Sequence, residues 1–332
     1  MTPPRIGIFT IADDFHALVI KKALEDVHGV SCSIVETDRL CGHGDLTWSN
    51  GNTYRPRLAT AAGDRIDVGA LALIWWRRGN VAQDVPRDVT DPAHVDLISN
   101  DCHFALLGLL LDKFHGAWVS NPQATLLAQN KLLQLRAAKR TGFRVPRTLV
   151  SQEPEEIRRF CAALGNRVVV KVVKGTVKGA ALTTMVNPEM LEAESCLRLC
   201  PAIYQELIPG DRHLRICCFG DTVYAALIES EDLDWRANLK VPVRPFDLSA
   251  DLDLRLRRAL RVLGLRMGIF DLKLNEQGEA VWLEVNPQGQ FLFLEGLCGL
   301  PLTSAFAAFL SQEAVRSRRR GPYRTGDAVR EQ

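Results

Sequence analysis

The chain has 332 residues, 47% of them hydrophobic and 24% charged, with a net charge of +2. That length exceeds one small core and predicts two or three subdomains of an ordinary soluble globular protein. Forty-one basic residues nearly balance thirty-nine acidic ones, so the charge gives no reason to expect nucleic acid, and no run reaches the roughly twenty apolar residues that cross a bilayer.

In chain order, residues 6–10 read as a strand, 14–27 as a helix and 31–36 as a strand, after a start at Met1 without a signal-type apolar stretch. A further strand over 71–76 precedes a long helix over 92–114, and the alternation predicts a parallel α/β layer. Residues 46–66, with Asn50-Gly51-Asn52 inside, suggest a hairpin insertion. Asn121-Pro122 opens a second region, with a helix over 127–140 that stops at Thr141-Gly142. A small α+β unit follows, with helices over 153–164 and 188–197 and strands over 167–173, 182–186 and 202–208. The third region is mostly antiparallel, with strands over 214–219 and 223–229, a helix over 252–263 and a closing hairpin. The expected domains are therefore 1–120, 121–208 and 209–312, with 313–332, rich in Arg316, Arg318, Arg319 and Arg320, as a flexible tail. Nine cysteines, an odd number without zinc-finger spacing or Cys-x-x-Cys pairs, point to a reduced, cytoplasmic compartment.

The closing hairpin carries Asp271 and Lys273 on one run and Glu284 and Asn286 on the other, joined by Asn275-Glu276-Gln277-Gly278. Counted back from a tight turn, Asp271 falls opposite Trp282 and diagonal to Glu284. All four polar residues then share one face, and Phe270, Leu272, Leu274, Leu283 and Val285 share the other. Such oxygens suit Mg²⁺ with nucleotide phosphates, and equally a solvated sheet face. Lys171, inside a run of valines, asks for an anionic partner or guards a strand edge. Gly175 and Gly179 follow it in a loop that can fold over phosphates but lacks a Walker ending. Lys131 offers a second charge from its helix. The strand through Gln205 and Glu206 to Ile208 ends at Pro209-Gly210, where main chain can read an adenine edge. Trp75, Trp76, Arg77 and Arg78 at a strand end suit an acidic leader peptide, or burial of the two tryptophans under a helix.

The order of these features resembles the ATP-grasp ligases: a helix lysine, a strand lysine about forty residues on, a glycine loop, a Gln-Glu strand, then Asp-x12-Glu-x-Asn. Asn130-Lys131-Leu132-Leu133-Gln134, Asp234-Trp235-Arg236 and Glu284-Val285-Asn286-Pro287-Gln288-Gly289-Gln290 resemble the microviridin-type or graspetide branch, which macrocyclises ribosomal peptides. The resemblance implies an ATP-grasp fold with an N-terminal α/β domain, a central α+β lobe and a C-terminal antiparallel lobe. It implies that Lys131 and Lys171 hold ATP phosphates, that Gln205, Glu206 and Ile208 border the adenine, and that Asp271, Glu284 and Asn286 ligate Mg²⁺. Asp211 or His213 would meet the ribose, since the acidic residue often found two before Arg215 is His213 here. Arg215, Arg236 and Lys171 would act in catalysis, and Arg77, Arg78, Gln288 and Gln290 would contact a precursor peptide with leader and acidic core. A homodimer stays open. The rivals are a ligase that adds glutamate or a similar amino acid to a small molecule or protein terminus, and a nucleotide-binding regulator without turnover.

Overall fold

The computed structural model describes residues 3–42, 46–51, 56–60, 62–174, 183–238 and 240–320. Gly175 and Gly179 lie outside the described residues. The chain divides into two compact units, Met1–Pro122 with Pro301–Gln332, and Gln123–Leu300.

The first unit contains β1 (Arg5–Thr10), α1 (Phe15–His28), β2 (Ser31–Glu36), β3 (Leu73–Trp76), α2 (Pro92–Lys113) and β4 (Ala117–Val119). Its strands form a parallel sheet in the order β2-β1-β3-β4. Ile6, Ile8 and Phe9 are all fully buried, the run expected of a parallel strand covered on both faces. Asp14 caps α1 by accepting from the backbone N–H of His16, and Gly29 ends the helix in the left-handed region at φ 60°. The segment expected to insert as a hairpin pairs antiparallel at Thr47 with Arg57 and at Ala59 with Arg65. It packs Leu58 and Ile66 against Leu106, Leu109 and Leu110 of α2.

The second unit begins with α3 (Pro122–Ala128), α4 (Lys131–Arg140), β5 (Thr148–Ser151), α5 (Pro154–Ala163), β6 (Val168–Lys171), β7 (Thr184–Met185), α6 (Pro188–Glu192), α7 (Glu194–Leu197) and β8 (Ala202–Glu206). Then come β9 (Arg212–Phe219), β10 (Thr222–Glu229), β11 (Val243–Pro245), α8 (Ala250–Val262), β12 (Met267–Leu274), β13 (Ala280–Asn286) and α9 (Leu292–Cys298). Two antiparallel sheets result, β5-β8-β6-β7 and β11-β10-β9-β12-β13. The chain passes from the first of these sheets to the second between Glu206 and Arg212. The helix α4 belongs with the second sheet, where Ala138 shares a core with Phe143, Phe270 and Trp282.

The last helix, α10 (Leu302–Arg320), returns to the first unit. Leu302, Phe306, Leu310 and Ala314 repeat every four residues and are fully buried. Residues 302–312 therefore leave the C-terminal lobe to which sequence assigned them, and residues 313–320 are helix rather than flexible tail. Among the described residues no helix is long and apolar enough to cross a membrane.

Candidate active site

A cavity of about 270 Å³ opens within the second unit. Its wall takes Lys131 from α4, Lys171 from β6, Gln205 from β8, His213 from β9, Asp271 from β12 and Glu284 from β13. Glu206, Ile208 and Arg236 complete the expected residues that reach it.

The hairpin departs from the sequence count, which set Asp271 opposite Trp282 and diagonal to Glu284. Asp271 pairs directly with Glu284, Leu272 pairs with Trp282, and the register shifts between them, leaving Leu283 as the extra residue of a bulge. Unbroken pairing would have set Leu283 opposite Asp271 and turned Glu284 into the core. With the bulge, Leu283 and Glu284 both line the cavity, while Trp282 joins Phe270 and Val285 in the core. Leu283 therefore leaves the apolar face on which counting placed it.

The edge strand β13 is held by α4. Asn130 caps that helix, its Oδ1 accepting from the N–H groups of Leu132 and Leu133. Four residues on, buried Gln134 accepts from Val285 N (2.9 Å) and donates to Val285 O (2.8 Å). Gln134 thus supplies the missing strand partner beside Glu284, a role sequence reasoning missed. Lys131, on the first turn, reaches Glu284 Oε2 at 3.4 Å.

The electrostatics follow from burial. Burial raises the Asp271 carboxyl, Arg215 opposes this through an ion pair (Nη1 to Oδ2, 2.6 Å), and Glu284 adds to the rise. Burial would raise Glu284 too, but Lys131, Lys171 and Arg236 outweigh it and hold the carboxyl below its ordinary value. Asp271 Oδ1 is buried without a hydrogen-bond partner among the described residues. A naked carboxylate oxygen beside a second carboxylate suits a hard divalent cation. Among the described residues no group of three or more His, Cys, Asp and Glu side chains gathers for a metal. Asn286 stands apart, since its Oδ1 accepts from Gln288 N (3.0 Å) and its side chain does not line the cavity.

Lys171 donates to Gln205 Oε1 (2.9 Å), and Gln205 donates on to Thr148 Oγ1 (3.0 Å). Burial pushes the Lys171 ammonium down to about 8, against the pull of Glu284. Glu206 spends its carboxylate on Arg147, accepting from the backbone N–H at 3.0 Å. Gly210, at φ 110°, sits where an added Cβ would lie 3.0 Å from Leu274 O, so the turn after β8 needs glycine. Beyond that turn Asp211 is exposed and outside the cavity wall, whereas His213 is buried in it with Nε2 unpartnered among the described residues. Burial, with Lys273 adding to it, pushes His213 down to about 4, so the ring is neutral.

Arg236 is gripped by Asp234, through Nε to Oδ1 (2.7 Å) and Nη2 to Oδ2 (2.5 Å), rather than by the neighbouring Glu229, Glu231 or Asp232. Burial would raise the Asp234 carboxyl, but this fork and two backbone N–H groups hold it below its ordinary value. Arg215 Nη2 donates to Gln290 O (2.9 Å). Gln290 itself is exposed, while Gln288 is buried.

The expected leader contact at Arg77 meets a different environment. Arg77 is 4% exposed and pairs with Asp14, Nε to Oδ2 at 2.5 Å and Nη2 to Oδ1 at 3.2 Å. Its charge is neutralised inside the first unit, where Trp75 packs edge-on against Phe306 at 4.8 Å and Trp76 meets Trp118 at 6.1 Å. Burial of the two tryptophans is the arrangement found. Arg78 is half-buried.

The chain matches no family model. A probable alpha-L-glutamate ligase of Xanthomonas oryzae pv. oryzae is 29% identical over 217 residues, covering 62% of this chain and 72% of that protein. The macrocyclase MdnC of Microcystis aeruginosa, solved with its precursor peptide MdnA, superposes with TM-score 0.84 at 24% identity, covering 93% of this chain and 99% of MdnC. MdnB, a macrocyclase of the same organism, is 28% identical with TM-score 0.78 over 93% of this chain and 99% of its own. The ATP-grasp ligase PsnB, in a complex with a precursor variant, Mg and ADP, superposes with TM-score 0.74 at 23% identity, over 93% of this chain and 98% of PsnB. The chain has the ATP-grasp fold that MdnC, MdnB and PsnB share, and its sequence is similar to that of a probable glutamate ligase.

Proposed function

We propose that the chain is an ATP-dependent, ADP-forming ligase that activates Asp or Glu side chains of a ribosomally made precursor peptide and joins them to Ser or Thr hydroxyls or Lys amines of that peptide. The observation that carries this reading is the meeting of Lys131, Lys171 and Arg236 with the Asp271–Glu284 pair in one cavity, on a fold shared with peptide macrocyclases.

A carboxylate is a poor electrophile because its leaving group would be oxide. ATP supplies the γ-phosphoryl group that makes it an acyl phosphate, which a hydroxyl or amine attacks with phosphate leaving. Mg²⁺ held by Asp271 and Glu284 would neutralise and orient phosphate charge. Lys131 and Lys171 hold phosphate oxygens, and Lys171 stays mostly protonated at neutral pH. Arg236, aimed by Asp234, clamps the acyl group through a planar fork that lysine lacks, and Arg215, with its two Nη atoms on Asp271 and Gln290 O, positions Asp271 for the ion. His213 presents a neutral ring nitrogen to the ribose in place of an acidic residue. Val169, Ile208 and Leu272 offer apolar wall to the adenine, with Gln205 and Glu206 bordering it. Gln290 stands at the peptide side. Asn286 Oδ1 accepts the Gln288 N–H with one lone pair and has a second for the ion.

Incubation with ATP, Mg²⁺ and a candidate acidic precursor should release ADP and remove one water mass per ring. Asp271→Asn and Glu284→Gln should abolish both signals. The similarity to the glutamate ligase favours a second reading, addition of a free amino acid. If the peptide gains the mass of a residue instead of losing water, that second reading holds and macrocyclisation fails.

A further inference from the structure

Two polar atoms at one end of the cavity in the second unit, Lys273 Nζ and His213 Nε2, make no hydrogen bond among the described residues. Their residues are buried, at 6% and 4% exposure. Lys273 stands directly opposite His213 in the pairing of β12 with β9, so both side chains leave the same face of the sheet with Cβ atoms about 5 Å apart. Roughly 7 Å further along the same two strands, Asp271 stands opposite Arg215.

The two atoms are opposite in polarity. The other ring nitrogen of His213 donates to the Ser230 carbonyl, so Nε2 of the neutral ring carries the lone pair and accepts. An ammonium only donates. Asp211 attracts Lys273 without forming an ion pair with it, and lies exposed, outside the cavity wall. What Lys273 lacks is therefore a hydrogen-bond acceptor rather than a second negative charge. Leaving either atom buried and unpaired is costly. A ligand that satisfies both brings one hydroxyl hydrogen and one acceptor oxygen side by side. A carboxylate or a phosphate dianion has no hydrogen for Nε2. The adjacent hydroxyls of a sugar meet both demands.

We infer that Lys273 and His213 together read the two ribose hydroxyls of the nucleotide, Lys273 donating to one oxygen and Nε2 accepting from the other. The inference rests on the nucleotide cavity proposed above and adds Lys273 as a residue that sets nucleotide specificity. It reverses the polarity that an acidic residue at position 213 would impose, since a carboxylate takes a hydrogen from each hydroxyl it holds. A donor and acceptor pair tolerates fluorine, an acceptor without a hydrogen, in place of one hydroxyl and refuses it in place of the other.

The test is calorimetric binding of Mg²⁺-ADP to the full chain, with the 2′-deoxy, 3′-deoxy, 2′-fluoro and 3′-fluoro analogues as comparisons. Loss of either hydroxyl should weaken binding at least tenfold, because the atom that read it stays buried and unpaired. Fluorine should restore part of that loss at one position and none at the other. Lys273→Met should erase the discrimination at the fluorine-tolerant position alone, and His213→Phe at the other alone. Variants that weaken all five ligands by the same factor would show a structural role and overturn the inference. Refusal of fluorine at both positions also overturns it, since that is the pattern of a carboxylate such as Asp211. If ADP itself fails to bind, the inference and the ligase reading fall together. If the hydroxyl pattern holds while no acyl substrate yields ADP, the pair stands and the ligase reading falls.

Discussion

Lys171 shows how a charged side chain lining a cavity can weaken the fold that carries it. Burial lowers its pKa to about 8 from an ordinary 10.5, so between those values the unfolded chain holds a proton that the folded chain has lost. Stability therefore rises with pH across that window, and the penalty is complete below it. Lys171→Met should lower ligase turnover by roughly 10²–10³-fold, as loss of one preorganised donor does. At pH 7 the same variant should melt about 2–4 °C higher, the shift that 1 kcal/mol gives in a unit of this size. A variant that loses activity and also melts lower would show that the ammonium is compensated without ligand. His16 and His213 are pushed the same way, both to about 4, by burial first and then by Arg77 and Lys273 respectively. Their folded values lie below the ordinary 6.5, so stability is full above 6.5 and is lost as pH falls towards 4, by up to about 1.4 kcal/mol per pH unit for each ring. Urea midpoints at pH 7 and pH 5 should differ less in His16→Gln and His213→Gln than in wild type.

The hairpin and its neighbours carry the lesson at the scale of elements. Both strands, and the carboxylates on them, are legible from alternation and the Asn-Glu-Gln-Gly turn. The bulge at Leu283 is not, because the local pattern fits regular pairing equally well and only the burial of Trp282 against Phe143 and Phe270 decides it. Gln134 was hidden for a related reason. A glutamine in an amphipathic helix reads as solvated, and nothing local reveals that the edge of β13 needs a donor and an acceptor there. Gln134→Leu should leave Val285 N–H and C=O buried and unpaired, costing about 2–4 kcal/mol. Because Glu284 is next along that strand, the variant should also bind Mg²⁺-nucleotide more weakly. Titration by calorimetry checks this, and unchanged affinity would mean that the bulge alone positions Glu284.

Across the whole molecule, the return of α10 to the first unit makes a concrete claim about chain ends. Phe306 packs against Trp75, and α10 packs along α1. A chain ending at residue 300 should expose that surface, lose the near-ultraviolet signal of Trp75 and become protease-sensitive in residues 1–122. A truncated chain that stays resistant there would show α10 to be dispensable. Strand and helix order and the hairpin carboxylates were legible in the sequence, because periodicity and residue chemistry are local properties, whereas that Lys131, Lys171, Gln205 and Glu206 share one site was expected only from the resemblance to ATP-grasp ligases. Tertiary structure alone decided that Glu284 faces Asp271, that His213 rather than Asp211 reaches the cavity, that Arg77 is spent on Asp14 and that α10 belongs to the first unit. Each of these depends on a partner distant in sequence, and the free energy that selects it comes from burying both together.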